Sequence, residues 1–409
     1  MLNVKKILLL LLLFFLPTQL GMFFFIPDSI VHGIPIDLLA PALYVTDILV
    51  LASVILNLFQ DPGTIKKMLK RVQHDKIIVI AFLFIIGNVF FALSPIMGIY
   101  KLIKLMEMGT VFWIMKKSKI EINHVLIALL AMAALQLALG LAHVIAGNSI
   151  QGIFYLLGER SFSLSTPGIA KVSMQGLEIL RAYATFPHPN ALGGFYLLLY
   201  SFILFSPTLS SPRVLGEIQK NLFLIISTLL IIFSFSKVAL MGYVLLTVVN
   251  VLRKTSTCTW CKLSGLVLPI ALSGVFFMAQ GDPETIDKRI WLATSSFMII
   301  REHLLTGVGL GNYLIAQGTF PIPYSYHFLQ PVHNIFLLLI AELGVPLCAL
   351  MTYIFVKIVR PLWESPVFNA MLFVIIFTGM FDHYWLTIQQ NMLLVPVVFG
   401  LLTNNTKTI

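Results

Sequence analysis

Long apolar stretches, broken by short polar or charged clusters, run along nearly the whole chain. Most are far longer than the roughly 4–8 residues of a buried strand. A bilayer crossing by a helix takes about 20 mostly apolar residues. On that measure the pattern predicts spans near 7–26, 39–59, 77–94, 96–115, 123–146, 190–206, 221–235, 238–252, 263–280, 333–356, 367–382 and 385–402. The expected fold class is therefore all-α, a polytopic helical membrane protein of about 12 transmembrane helices. The first run follows Lys5 and Lys6 like a signal peptide, but it continues through Phe23 to Ile26 without a small-residue cleavage site and is expected to stay as a span. Two connections, 147–189 and 281–332, are much longer than the rest. They contain Phe154, Tyr155, Trp291 and Phe297, so they are expected to pack as outward-facing loops with short interfacial helices rather than to remain disordered. No internal repeat, low-complexity tract or soluble region interrupts the pattern, and residues 1–409 read as a single membrane domain.

Composition sharpens this picture. Hydrophobic residues make up 58% and charged residues 11% of the 409, against about 45–50% and about 25% in soluble domains. A soluble enzyme is excluded. The net charge of +10 has a topological explanation: with the N-terminus inside, 18 of the 27 Lys and Arg residues fall in the cytoplasmic gaps. Nucleic acid is therefore not an expected partner. The nine exceptions are Lys101, Lys104, Arg160, Lys171, Arg181, Lys237, Lys288, Arg289 and Arg301, on the outer side or in the outer half of a span. The three cysteines are too few for a disulfide framework, and the C-x-x-C of Cys258 and Cys261 falls on the reducing face with no redox fold around it.

Four clusters could carry chemistry. His333 and Asn334 stand at the outer mouth of a span that contains Glu342. A separation of nine residues turns Glu342 to the far side of the helix from His333, so it is expected to be structural rather than a direct partner. Arg181 to Asn190 reads R-A-Y-A-T-F-P-H-P-N, with His188 ahead of a span. Lys288 to Trp291 precede the glycine-rich run Gly307, Gly309, Gly311, Asn312, whose spacing does not fit a dinucleotide loop and points to close backbone approach. Ser234 to Lys237 form a hairpin tip that projects a cation. Lys101 and Lys104 share one helix face with Glu107, where they either reach a lipid phosphate or pair with an acid inside the bundle. Asp382 and His383 close the eleventh span and either orient His333, bind sugar, or form an interfacial pair without chemistry.

Together and in this order, these pieces resemble the O-antigen ligase and polymerase family of integral-membrane glycosyltransferases. The matching features are Arg181 to Asn190, S-F-S-K from Ser234, R-I-W from Arg289, G-V-G-L-G-N from Gly307, and H-N-I-F with E-L-G from His333 to Gly344, a core spanning about 150–360. Lys237 stands where many members have arginine, and Ala184 where many have glycine. The resemblance implies inverting, metal-independent transfer of a glycan from a polyprenyl diphosphate carrier to an acceptor hydroxyl, with no cofactor. It assigns His333 to the acceptor and Arg181 and Arg289 to the donor diphosphate; Lys237 is a further candidate for the diphosphate, and His188, Asn190, Asn334 and Asp382 are candidate supporting positions. It also implies surface polysaccharide or lipopolysaccharide assembly in a bacterial inner membrane, with the active site facing the periplasm or cell exterior. The partners would be membrane lipid, a lipid-linked glycan donor and a glycan or lipid A core acceptor. Physical chemistry agrees: guanidinium groups clamp phosphate oxygens and stay charged, and neither outward loop has a D-x-D motif to hold a metal. The alternative is a transporter or flippase of lipid-linked glycans, but the cations gather at one membrane face rather than at the midplane.

Overall fold

The computed structural model describes residues 4–60, 76–118, 120–206, 214–253, scattered positions between 267 and 279, 285–321 and 328–405. Helix accounts for 70% and strand for 6%, so the helical class holds. Ile122–Ala146, Gly216–Phe233 and Ile335–Leu362 are long and apolar enough to cross a membrane by length and composition. Shorter apolar helices cover Val45–Asn57, Ile77–Phe90, Pro189–Phe205 and Pro366–Gly379. The expected span at 263–280 lies largely outside the described residues, and the C-x-x-C of Cys258 and Cys261 lies wholly outside them.

The helices follow the apolar runs with two clear departures. Helix α1 (Val4–Phe15) stops before Pro17, because proline disfavours helical geometry in the residue preceding it, and Gly21–Phe23 forms strand β1 instead. The first apolar run is thus not one continuous helix. The last run is also divided, into α13 (Tyr384–Thr387) and α14 (Gln389–Asn405). The chain splits into two compact units, each assembled from non-contiguous stretches.

The first unit comprises Met1–Leu20, Phe112–Pro283 and Glu364–Ile409. Its centre is α6 (Pro189–Phe205), buried from Ala191 to Ile203. It packs against α7 (Val214–Phe233), α8 (Lys237–Arg253), α12 (Pro366–Gly379) and α14. Helix α5 (Ile122–Ala146) packs on α7 and α1. Segment 147–189, expected to carry short interfacial helices, differs from that expectation. Beyond a short 3-10 turn at Gly152–Leu157, it contains an antiparallel hairpin of β5 (Lys171–Met174) and β6 (Leu177–Leu180). Gln175 and Gly176 take φ of 51° and 84° at its tip, the paired left-handed geometry that matches strand twist in a two-residue turn.

The second unit comprises Gly21–Val111 and Glu284–Trp363. Strand β1 pairs with β4 (Ala42–Tyr44), and between them β2 (Ile30–Val31) pairs with β3 (Ile34–Pro35). Helices α2 (Val45–Gln60), α3 (Lys76–Phe90), α4 (Pro95–Lys117), α9 (Thr285–Glu302), α10 (Tyr313–Gln317) and α11 (Ile335–Val359) supply the rest, α4 running on past Val111. Helix α11 breaks at Gly344, whose φ of 74° and ψ of 163° lie outside helical space, with Pro346 just beyond. Breaking a helix frees backbone groups that must find partners away from water. Here the loop after α9 supplies them. Val308 and Gly309 donate to the carbonyls of Ala341 and Glu342 at 2.9 and 3.0 Å, and Val345 donates to Leu304 at 2.9 Å.

Candidate active site

In the first unit the turn 181–190 is fixed from both ends. Arg181 Nε donates to the carbonyl of Ser234 at 2.8 Å, and Nη2 donates to Asn190 Oδ1 at 2.6 Å. Asn190 Nδ2 in turn donates to Asp382 Oδ2 at 2.9 Å, and the other carboxylate oxygen accepts from His383 N–H at 2.8 Å. The sequence motif groups Arg181 with Asn190 but does not connect Asp382 to either. The structure ties all three into one polar chain. His188 is the N-cap of α6: its Nδ1 accepts from Asn190 N–H at 3.1 Å, ahead of Pro189, which suits the first helical position. Lys237 begins α8, exposed, on the same turn whose Ser234 carbonyl holds Arg181.

The interior of the turn is tightly packed. Thr185 Oγ1 donates to the carbonyl of Pro17 at 2.8 Å, and Thr185 N–H donates to Gln136 Oε1 at 3.2 Å. Ala184 takes φ of 50°, a left-handed conformation that glycine adopts without cost. That is the position where many members of the resembled family carry glycine. Burial pushes the Tyr183 phenol above its ordinary value, against the opposing pull of a backbone hydrogen bond from Ala170 and of the Arg181 and Arg160 guanidiniums. Arg160, one of the nine cations outside the expected cytoplasmic gaps, also meets this turn. Its Nη1 reaches the carbonyl of Pro187 at 3.4 Å, on this same turn.

In the second unit His333 is half-buried immediately before α11, and Asn334 is the helix cap. Asn334 Oδ1 accepts from the N–H groups of Phe336 and Leu337 at 2.9 and 3.0 Å, so its oxygen is committed to holding the helix start. Arg289, also half-buried, lies in the second turn of α9, which packs against α11. Its neighbour Trp291 meets Phe328 at 5.9 Å between ring centroids, and Lys288 Nζ lies 6.0 Å from the same Phe328 ring.

The glycine-rich run is architectural. Asn88 binds it by accepting from Leu310 N–H at 2.9 Å and donating to the carbonyl of Thr306 at 2.8 Å. Asn312 Oδ1 accepts from Ser94 N–H at 2.6 Å. A side chain on Gly309, at φ 97°, would collide with Ala92. Glu342 is buried in the same region. Its carboxylate accepts from the backbone N–H groups of Gly311 and Tyr313 and faces the Lys101 ammonium. Lys104 pairs instead with Asp47 at 2.5 Å and Glu107 at 3.5 Å. The acids inside the unit are therefore where both lysines point.

A graded effect follows at Glu342. The Glu342→Leu change removes the acceptor of two N–H groups and the carboxylate that faces the Lys101 ammonium, and should cost on the order of 3–5 kcal/mol. Glu342→Gln keeps an acceptor oxygen and should lose less folded protein. Activity per folded molecule, after size-exclusion chromatography, should be nearly that of the wild type in the Gln variant. A Gln variant that is fully folded yet inactive would give Glu342 a chemical role and overturn the structural one.

Arg181, His188, Asn190, Lys237 and Asp382 fall in the first unit, and Arg289, His333 and Asn334 in the second. Residues 222–352 match the family model described as O-Antigen ligase, in line with the resemblance carried by the motifs. The match takes in Lys237, Arg289, the glycine run and His333 through Gly344, and it ends short of Asp382 and begins beyond the turn 181–190. It supports a glycosyltransferase-type role in polysaccharide assembly. No curated protein and no solved structure matches the chain.

Proposed function

We propose that the protein is an inverting membrane glycosyltransferase that moves a glycan from a polyprenyl diphosphate carrier to an acceptor hydroxyl. The observation that carries this reading is the O-antigen ligase match across the segment that holds Arg289 and His333. His333 takes the proton of the acceptor hydroxyl as its oxygen attacks the anomeric carbon. The bond from that carbon to the diphosphate oxygen breaks, and the charge left on the diphosphate is met by Arg181, Arg289 and Lys237. Histidine can accept a proton near neutral pH, and fixed cations can neutralise a departing diphosphate without a divalent metal. The acceptor is a glycan or a lipid A core. About twelve spans, cytoplasmic termini and outward segments 147–189 and 281–332 would set this chemistry on the outer face of a bacterial inner membrane.

The competing reading is transport of a lipid-linked glycan, for which a broken helix such as α11 is a known device. Backbone groups freed at the α11 break are taken up by the 304–309 loop, which favours a structural origin for it. Purified protein in vesicles, given a polyprenyl-diphosphate-linked glycan and an acceptor, should release polyprenyl diphosphate and elongate the acceptor, and EDTA should leave the rate unchanged. Movement of labelled lipid across the bilayer with no covalent transfer would replace this reading with the transporter one. Loss of transfer on adding chelator would remove the metal-independent mechanism.

A further inference from the structure

A fully buried histidine–carboxylate pair at the root of segment 147–189 has no part in the transfer just described. His143 Nε2, in the last turn of α5, meets Glu159 Oε1 at 2.6 Å, with both side chains at 0% exposure. Glu159 also accepts from the N–H groups of Ile150 and Gln151 at 2.7 and 2.6 Å. A buried carboxylate is tolerated only when its oxygens are bonded, as both of Glu159's are. One carboxylate here anchors the backbone across a ten-residue loop. The frame continues around it: Ser149 N–H donates to the Phe162 carbonyl at 2.9 Å, Phe162 N–H donates to Ser149 Oγ at 3.2 Å, and Gln151 Nε2 donates to the Arg160 carbonyl at 3.1 Å.

What this frame presents is the exposed guanidinium of Arg160. It reaches the Pro187 carbonyl through a long contact of 3.4 Å, and together with Arg181 it acts on the Tyr183 hydroxyl. Arg160 thus contacts the same turn that Arg181 opens, and its backbone is held by a buried mount. An exposed guanidinium can still offer its fork of N–H groups to phosphate oxygens, which it binds through paired hydrogen bonds. We propose that Arg160 is a diphosphate-binding residue of the donor site beside Arg181, with the Glu159–His143 pair as its mount. This rests on reading the turn 181–190 as part of the donor site.

The test is binding of glycan-free polyprenyl diphosphate to the purified full chain in zwitterionic lipid nanodiscs, with the wild type, Arg160→Ala, Arg160→Lys and Arg181→Ala compared. Arg160→Ala changes an exposed side chain and should fold normally. It should weaken binding by about tenfold, and Arg160→Lys by less, because the ammonium keeps the charge but not the fork. The difference should persist when anionic phospholipid is added. If Arg181→Ala weakens binding and Arg160→Ala stays within about twofold of wild type, Arg160 has no such role while the donor site stands. A difference erased by anionic phospholipid would assign Arg160 to bulk headgroups and likewise overturn the proposal. Absence of polyprenyl diphosphate binding by the wild type would remove both this assignment and the transferase reading beneath it.

Discussion

Alanine in place of His333 should lower glycan transfer by roughly a hundredfold or more while the protein stays folded and binds donor as before. A sugar hydroxyl is a weak nucleophile, so losing the group that accepts its proton acts on turnover rather than on donor affinity. The local structure makes this a clean test. The start of α11 is capped by Asn334, whose Oδ1 carries the N–H groups of Phe336 and Leu337. The half-exposed imidazole can therefore be removed without unfastening the helix. Arg289→Ala should give a comparable loss in kcat/KM by a different route, because the guanidinium is assigned to the diphosphate both before and during its departure. Its donor affinity should fall, whereas that of His333→Ala should not. Initial rates with purified variants, combined with donor titration, separate the two. A folded His333→Ala variant with full activity would end the proposed role of this residue.

Much of the helical framework was legible because apolar runs of helical length leave few alternatives. The exceptions have local causes. Pro17 ends α1 inside an apolar run that hydropathy alone extends to Ile26. The β5–β6 hairpin carries a weak sequence signal: its tip is Gln175–Gly176, where the usual turn signal is Asn-Gly or Asp-Gly, although Val172, Met174, Leu177 and Ile179 alternate as strand residues do. The break in α11 was foreshadowed by Gly344 and Pro346, yet the residues that satisfy it lie in a loop about forty positions earlier. Spacing also gave Glu342 its orientation relative to His333, but it could not name Lys101 and the backbone of Gly311 and Tyr313 as its partners. Periodicity fixes the phase of a side chain on its own helix, whereas the partner is fixed by tertiary packing.

The same limit governed Asp382, whose bond to Asn190 joins residues 192 positions apart. That bond yields the second large expected effect. Arg181→Ala should reduce kcat/KM by roughly a hundredfold, chiefly through donor binding, since a desolvated guanidinium contact to a diphosphate is lost. Asn190→Leu should approach the same loss even though Asn190 is not assigned to touch the donor. Its Oδ1 holds Arg181 Nη2 at 2.6 Å, and its Nδ2 links that contact to the Asp382 carboxylate. Leucine removes both bonds and with them the anchor on Nη2, while Nε keeps its bond to the Ser234 carbonyl. If Asn190 acts through Arg181, the two changes cannot add. The double variant should then be no worse than Arg181→Ala alone, and the coupling should appear in a double-mutant cycle on donor affinity. Asp382→Asn should be milder than Asp382→Leu, because an amide can still accept one of the two N–H bonds that the carboxylate receives from Asn190 and His383. Independent, additive losses at Arg181 and Asn190 would show that Asn190 contacts substrate itself, and the positioning chain from Asp382 to Arg181 would have to be abandoned.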